Sequence, residues 1–120
     1  MNQQGKIWGR TAKLFSRNNV EVHRIEAVPG GYCSQHRHAQ KWNLFFVESG
    51  TLEITIWQAE GRMDVTRLNA GECCSVPPGL YHRFEAVTDV VALEVYWTEL
   101  SGNDIDRSDT GGIRQHPANT

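Results

Sequence analysis

The sequence predicts an all-β fold, a single-domain sandwich or barrel built from eight or nine short strands. Three observations carry this expectation. Apolar and polar side chains alternate over short stretches, as in half-buried strands. Turn-forming residues recur roughly every 8–12 residues. No stretch of helical length places apolar residues at i, i+3, i+4 and i+7.

Taken in order, residues 7–15 fit a strand or a single helical turn equally well. Residues 20–28 read as a strand stopped by Pro29-Gly30-Gly31. Residues 32–38 and 42–48 follow as strands, closed by Gly50. In 51–57 the alternation is cleanest: Leu52, Ile54 and Ile56 share one face, while Thr51, Glu53, Thr55 and Trp57 share the other. Further strands are expected at 63–68, 73–76, 81–87 and 90–98. They are separated by Gly61, Asn69 to Gly71, Pro77-Pro78-Gly79 and Thr88-Asp89. From residue 99 onward Gly, Asn, Asp and Ser dominate. The division expected is a barrel with an N-terminal strand or arm over 1–98, and a polar tail over 99–120.

Length and charge bound the function. The 120 residues suffice for one domain with a core. Twelve Lys and Arg against 14 Asp and Glu give −2, without the concentrated basic patch that nucleic-acid or membrane-surface binding uses. The balance shifts along the chain: +4 over residues 1–24, −4 over 25–98 and −2 over 99–120. The basic bias at the start reads as a solvated arm. Apolar runs such as residues 44–47 are far too short to span a bilayer. The first ten residues lack the apolar core of a secretory signal, and the cysteines (Cys33, Cys73 and Cys74) are odd in number. Together these predict a cytoplasmic protein without a disulfide framework.

The chemistry lies in the histidines. His36 and His38 stand two apart, so on a strand both project from one face and can grip a single metal ion. They belong to a longer frame: Gly30, five residues, His36-Arg37-His38, four residues, Asn43, six residues, Gly50. A second frame follows after 20 residues: Gly71, five residues, Pro77, one residue, Gly79, two residues, His82. In order, the two resemble the paired motifs of the cupin superfamily. The match runs from Gly30 to Ala86, about half the chain.

The resemblance implies a double-stranded β-helix, or jelly-roll, barrel with a metal inside. It implies His36, His38 and His82 as ligands, with Asn43 where the family usually carries a glutamate and Ala86 where it usually carries an asparagine. An amide at position 43 offers a neutral oxygen in place of a charged one. A centre made only of neutral donors would hold its ion less tightly and leave it a stronger Lewis acid, attractive to anionic ligands. Three histidines with open positions suit Fe, Ni, Cu, Zn or Mn.

Period two extends the site. Tyr32 and Ser34 are expected to face inward with His36, Phe45 with Asn43, and Phe84 with His82. Cys33 is expected to point away from the metal. The resulting substrate pocket is apolar and aromatic, with Tyr32 as the acid/base candidate, and suits a small organic molecule. His23 reads as an ordinary strand residue and His116 as part of the tail. Two functional classes follow. One is a small-molecule metalloenzyme of dioxygenase, isomerase or lyase type; the other is a non-catalytic binding or sensing module on the same barrel. A homodimer is expected, with residues 7–15 and an exposed Trp57 as its contact.

Overall fold

The computed structural model describes residues 2–98, 106, 108 and 110–114. Among these, nine strands form two antiparallel sheets. They are β1 (Asn2–Lys6), β2 (Gly9–Arg17), β3 (Val20–Ala27), β4 (Trp42–Ser49) and β5 (Leu52–Trp57). After one 3₁₀ turn come β6 (Met63–Leu68), β7 (Cys73–Val76), β8 (Tyr81–Ala86) and β9 (Val90–Trp97). The larger sheet has the order β1-β2-β3-β9-β4-β7 and the smaller the order β6-β5-β8. No helix among the described residues is long and apolar enough to cross a membrane.

The alternation seen in the sequence places the core between the sheets. Phe45, Val47, Ile25 and Ala92 project from the larger sheet onto Leu52, Ile54, Phe84 and Ala86 of the smaller. In β4 and β5 the burial follows period two, which places Asn43 inward with Phe45 and Val47. Gly50 joins these strands at φ 87°, where an added Cβ would lie 2.0 Å from the Asp89 carbonyl oxygen. Only glycine fits that turn without displacing backbone.

One open sequence expectation is resolved and one is corrected. The ambiguous segment 7–15 is strand from Gly9 onward, and β1 precedes it as the outer half of a hairpin. Its tip carries Trp8, whose ring meets Phe84 edge-on at 4.9 Å, so an apolar anchor decides what local pattern left open. Segment 32–38 is not a regular strand; it is tied by isolated bridges of Tyr32 to Glu85 and His36 to His82. The polar tail over 99–120 falls largely outside the described residues, and His116 with it.

Candidate metal centre

The three histidines come together across the barrel. His36 and His82 are joined by reciprocal backbone hydrogen bonds, His36 N to the His82 carbonyl at 3.1 Å and His82 N to the His36 carbonyl at 2.8 Å. Gly79, beyond the two prolines, donates its N–H to the His38 carbonyl at 2.8 Å, so the turn before β8 is fixed to the loop carrying the first two histidines. One ring nitrogen from each of His36, His38 and His82 lies within 4.8 Å of the others, so the three could hold a metal ion. It is the one such group of metal-capable side chains among the described residues.

The ring nitrogens are pre-set. His36 Nδ1–H donates to the Ser34 carbonyl at 2.7 Å, and His82 Nδ1–H to the Leu80 carbonyl at 3.0 Å. Each bond places a ring proton on Nδ1, so that the lone pair of the neutral imidazole lies on Nε2, where a metal ligand needs it; on His82 that atom faces Asn43 Nδ2. Desolvation is the main cause that pushes His38 down to about 4, helped by His36, His82 and Lys41. Desolvation likewise lowers His82. Both shifts favour the uncharged imidazole of His38 and His82, the form that can donate a lone pair to a metal.

Two buried side-chain atoms among the described residues lack any hydrogen-bond partner: His38 Nε2 and Asn43 Oδ1. Leaving such an atom unsatisfied costs about 1–3 kcal/mol. Asn43 Oδ1 carries lone pairs, the neutral His38 ring offers one on Nε2 in its Nδ1–H tautomer, and both residues are ones the sequence assigns to the centre. A divalent ion satisfies that chemistry, and the donor set fits one.

Asn43 is fully buried. Its Nδ2 donates to Glu94 Oε2 at 3.1 Å and stands 3.3 Å from His82 Nε2. Glu94 is 9% exposed. β9 thus brings a carboxylate to the residue beside the histidines. Glu94 gave a faint sequence signal, a lone charge in the otherwise apolar run Val90–Trp97. Both faces of that strand are apolar, so the sequence could not orient it.

A cavity of about 800 Å³ opens beside His36. Trp8, Val28, Phe84 and Cys33 give it an apolar side; Thr11, His23, Glu94 and Tyr96 give it a polar one. Of the expected pocket residues, Phe84 lines it, while Tyr32 and Ser34 border it as exposed side chains. Tyr32 is 57% exposed, with the Arg83 guanidinium 5.2 Å from its ring centre. Phe45 is a correction: it is wholly buried in the core, 6.4 Å from the His82 ring, and is not among the lining residues.

Cys33 is a second correction. It faces inward, buried, and its Sγ accepts from Phe84 N at 3.3 Å. The reason is a register change. Tyr32 stands opposite Glu85 but His36 opposite His82, so the 32–36 segment holds one residue more than β8 across from it. That extra residue reverses the alternation between Cys33 and His36 and turns Tyr32 outward.

His23 is a residue the sequence reading undervalued. It borders the cavity, 3.8 Å from Glu21 and edge-on to Tyr96 at 5.7 Å. Tyr96 itself packs edge-on against His38 at 5.2 Å. Burial, then the charge of Glu94, pushes its hydroxyl far above the usual phenol range, so it stays a neutral group.

With this geometry in view, the relatives fall into place. The cupin domain family model matches residues 23–99. An acireductone dioxygenase from Gluconacetobacter diazotrophicus is 33% identical over 100 residues, 76% of this chain and 54% of its own length. A putative germin-like protein 3-2 from Oryza sativa subsp. japonica is 27% identical over 69% of this chain and 38% of its own. The chain thus spans between about a third and a half of these relatives. Among solved structures, the Mn(II)-containing oxalate decarboxylase of Bacillus subtilis superposes with a TM-score of 0.73 at 20% identity, over 86% of this chain and 29% of that one. The Cnp3 cupin domain of Schizosaccharomyces pombe gives 0.70 at 18%, over 82% and 69%. These likenesses establish the fold as the jelly-roll barrel that the motifs implied. With its family match covering more than half its length and three histidines gathered at the motif positions, the chain belongs to the cupin domain family.

Proposed function

We propose that the protein is a metal-dependent enzyme acting on a small organic molecule, by dioxygenase, isomerase or lyase chemistry. His36, His38 and His82 hold a divalent transition metal ion of the Fe, Ni, Cu, Zn or Mn group, with Asn43 Oδ1 as a further donor. The observation that carries this reading is the pair of orphaned buried atoms, His38 Nε2 and Asn43 Oδ1, at a cluster of three imidazoles.

A bound divalent ion supplies Lewis-acid polarisation of an oxygen ligand, and redox chemistry if the metal is redox-active. The chain's own residues do the rest. Ser34 and Leu80 hold two imidazoles in the metal-binding tautomer through their carbonyls. Trp8 and Phe84 form an apolar wall that excludes water from the cavity beside His36. Tyr96 offers a neutral hydroxyl toward the bound molecule, and Tyr32 stands at the rim, where it can exchange protons with solvent. The likeness to an acireductone dioxygenase supports an oxygen-dependent reaction among the alternatives.

A second reading, a binding or sensing module, is favoured by the outward placement of Tyr32, which leaves the expected acid/base residue at the edge of the cavity. Under either reading we expect a homodimer. Support comes from the position of β1 at the edge of its sheet, unpaired on its outer side among the described residues, and from the exposed Ile7, Leu14 and Phe15. Trp57 is a weaker contact than its sequence position promised, since it is half-buried with Arg83 5.3 Å from its ring centre.

Turnover separates the readings. Protein loaded in turn with Fe(II), Ni(II) and Mn(II) is assayed against enols, diketones, thiols and sugar acids, following oxygen uptake and product. Turnover that disappears in a His82→Ala variant supports the enzyme. Saturable binding with no conversion by any loaded form supports the module.

A further inference from the structure

Glu94 is a carboxylate buried in the barrel, and among the described residues no Lys, Arg or His forms an ion pair with it. An unpaired buried charge costs several kcal/mol, so such groups normally have a counter-charge close by. The polar groups it does meet are the Tyr96 hydroxyl and the amide of Asn43, the latter at 3.1 Å. The contact follows from the register: β9 pairs with β4 so that Tyr96 faces Asn43 and Glu94 faces Phe45. Asn43 and Glu94 are therefore diagonal neighbours on one inward face. The same amide lies against His82 Nε2, and its oxygen is buried and unsatisfied. One end of Asn43 thus lacks a cation to accept, while the other is tied to an anion that lacks one.

We propose that Asn43 and Glu94 together supply the carboxylate of this centre, Asn43 standing at the histidines and Glu94 lending its charge through the Asn43 amide. Position 43 is neutral, but the centre as a whole is not. Glu94 accepts from the amide N–H, which pushes electron density toward Oδ1 and makes it a stronger donor, as carboxylates do for metal-bound imidazoles. The charge at a loaded centre falls from +2 to about +1, although each side chain directed at the ion is neutral. Glu94 also borders the cavity, so an incoming anion meets that compensated charge. This inference rests on the metal reading above.

The test titrates Zn(II) into the full-length wild type, Glu94→Gln, and the charge-swapped Asn43→Asp/Glu94→Gln double variant, and records thermal melts of each metal-free form. The wild type binds Zn(II), and Glu94→Gln binds it about 10–100-fold more weakly. The metal-free Glu94→Gln protein melts at or above the wild-type temperature, because an unpaired buried charge has gone. The double variant, with its charge moved to position 43, returns to within about threefold of wild-type affinity. Glu94→Gln affinity within threefold of wild type overturns the inference and leaves the metal reading standing. So does a loss that the charge swap fails to restore. Absence of Zn(II) binding by the wild type instead overturns the metal reading, and this inference with it.

Discussion

At the scale of single residues, the site is governed by which atoms are left with lone pairs. The histidine motif was legible because His36 and His38 stand at fixed offsets from Gly30 and Gly50, and His82 from Gly71, Pro77 and Gly79. Asn43 was legible on the same frame. Glu94 and His23 were not, because their roles depend on which strands become neighbours, and strand order is not a local property. Cys33 and Tyr32 were misplaced by one residue of register between Tyr32 and His36. Burial of neutral imidazoles has a measurable consequence. His38 is held down at about 4 in the folded chain against an ordinary value of 6.5, chiefly by desolvation. Between those values the unfolded chain binds a proton that the folded chain does not, so stability falls as pH drops through this window. The melting temperature of metal-free protein is expected to decline from about pH 6.5 toward pH 4. A His38→Gln variant is expected to show a shallower decline. An identical pH profile in the two would show that His38 is not the group responsible.

At the scale of elements, alternation and turn residues gave strand positions within a residue or two, for the exposed β6 as well as for the half-buried β4 and β5. Residues 63–68 and 73–76 match β6 and β7, and 90–98 exceeds β9 by one residue. The N-terminal hairpin was the hard case. Among its described side chains, those outside Ala12 are half-buried or exposed, so no period emerges, and β1 is held by pairing with β2. Its anchor is tertiary: Trp8 against Phe84, and Val28 N–H donating to the Trp8 carbonyl at 3.0 Å. Truncation of a half-buried Trp is expected to cost about 2 kcal/mol, below the range for full burial. Because Trp8 also lines the cavity, Trp8→Ala is expected to weaken small-molecule binding while leaving Zn(II) affinity unchanged. Denaturant melts and Zn(II) titration of the variant check both halves. A fall in metal affinity would show that the hairpin supports the histidines as well as the cavity.

At the scale of the whole molecule, two packed sheets turn scattered motifs into one site. The smaller sheet supplies His82, the larger supplies Asn43 and Glu94, and the irregular segment between β3 and β4 supplies His36 and His38. The chain's near-neutral charge excludes little by itself. What matters is that a carboxylate and three imidazoles, scattered over 59 positions from His36 to Glu94, converge inside. The proposed homodimer belongs to this scale, and sedimentation velocity is expected to give twice the 13.6 kDa chain mass. A single species at the chain mass would remove the dimer without touching the site.

The central claim, that His36, His38 and His82 form a working metal centre, is tested most directly by elemental analysis of protein purified without a histidine tag and then titrated with divalent metals. We predict close to one equivalent per chain for the wild type, and its loss in His82→Ala with the fold retained by circular dichroism. Less than about a tenth of an equivalent in the wild type, with none taken up on titration, would contradict it.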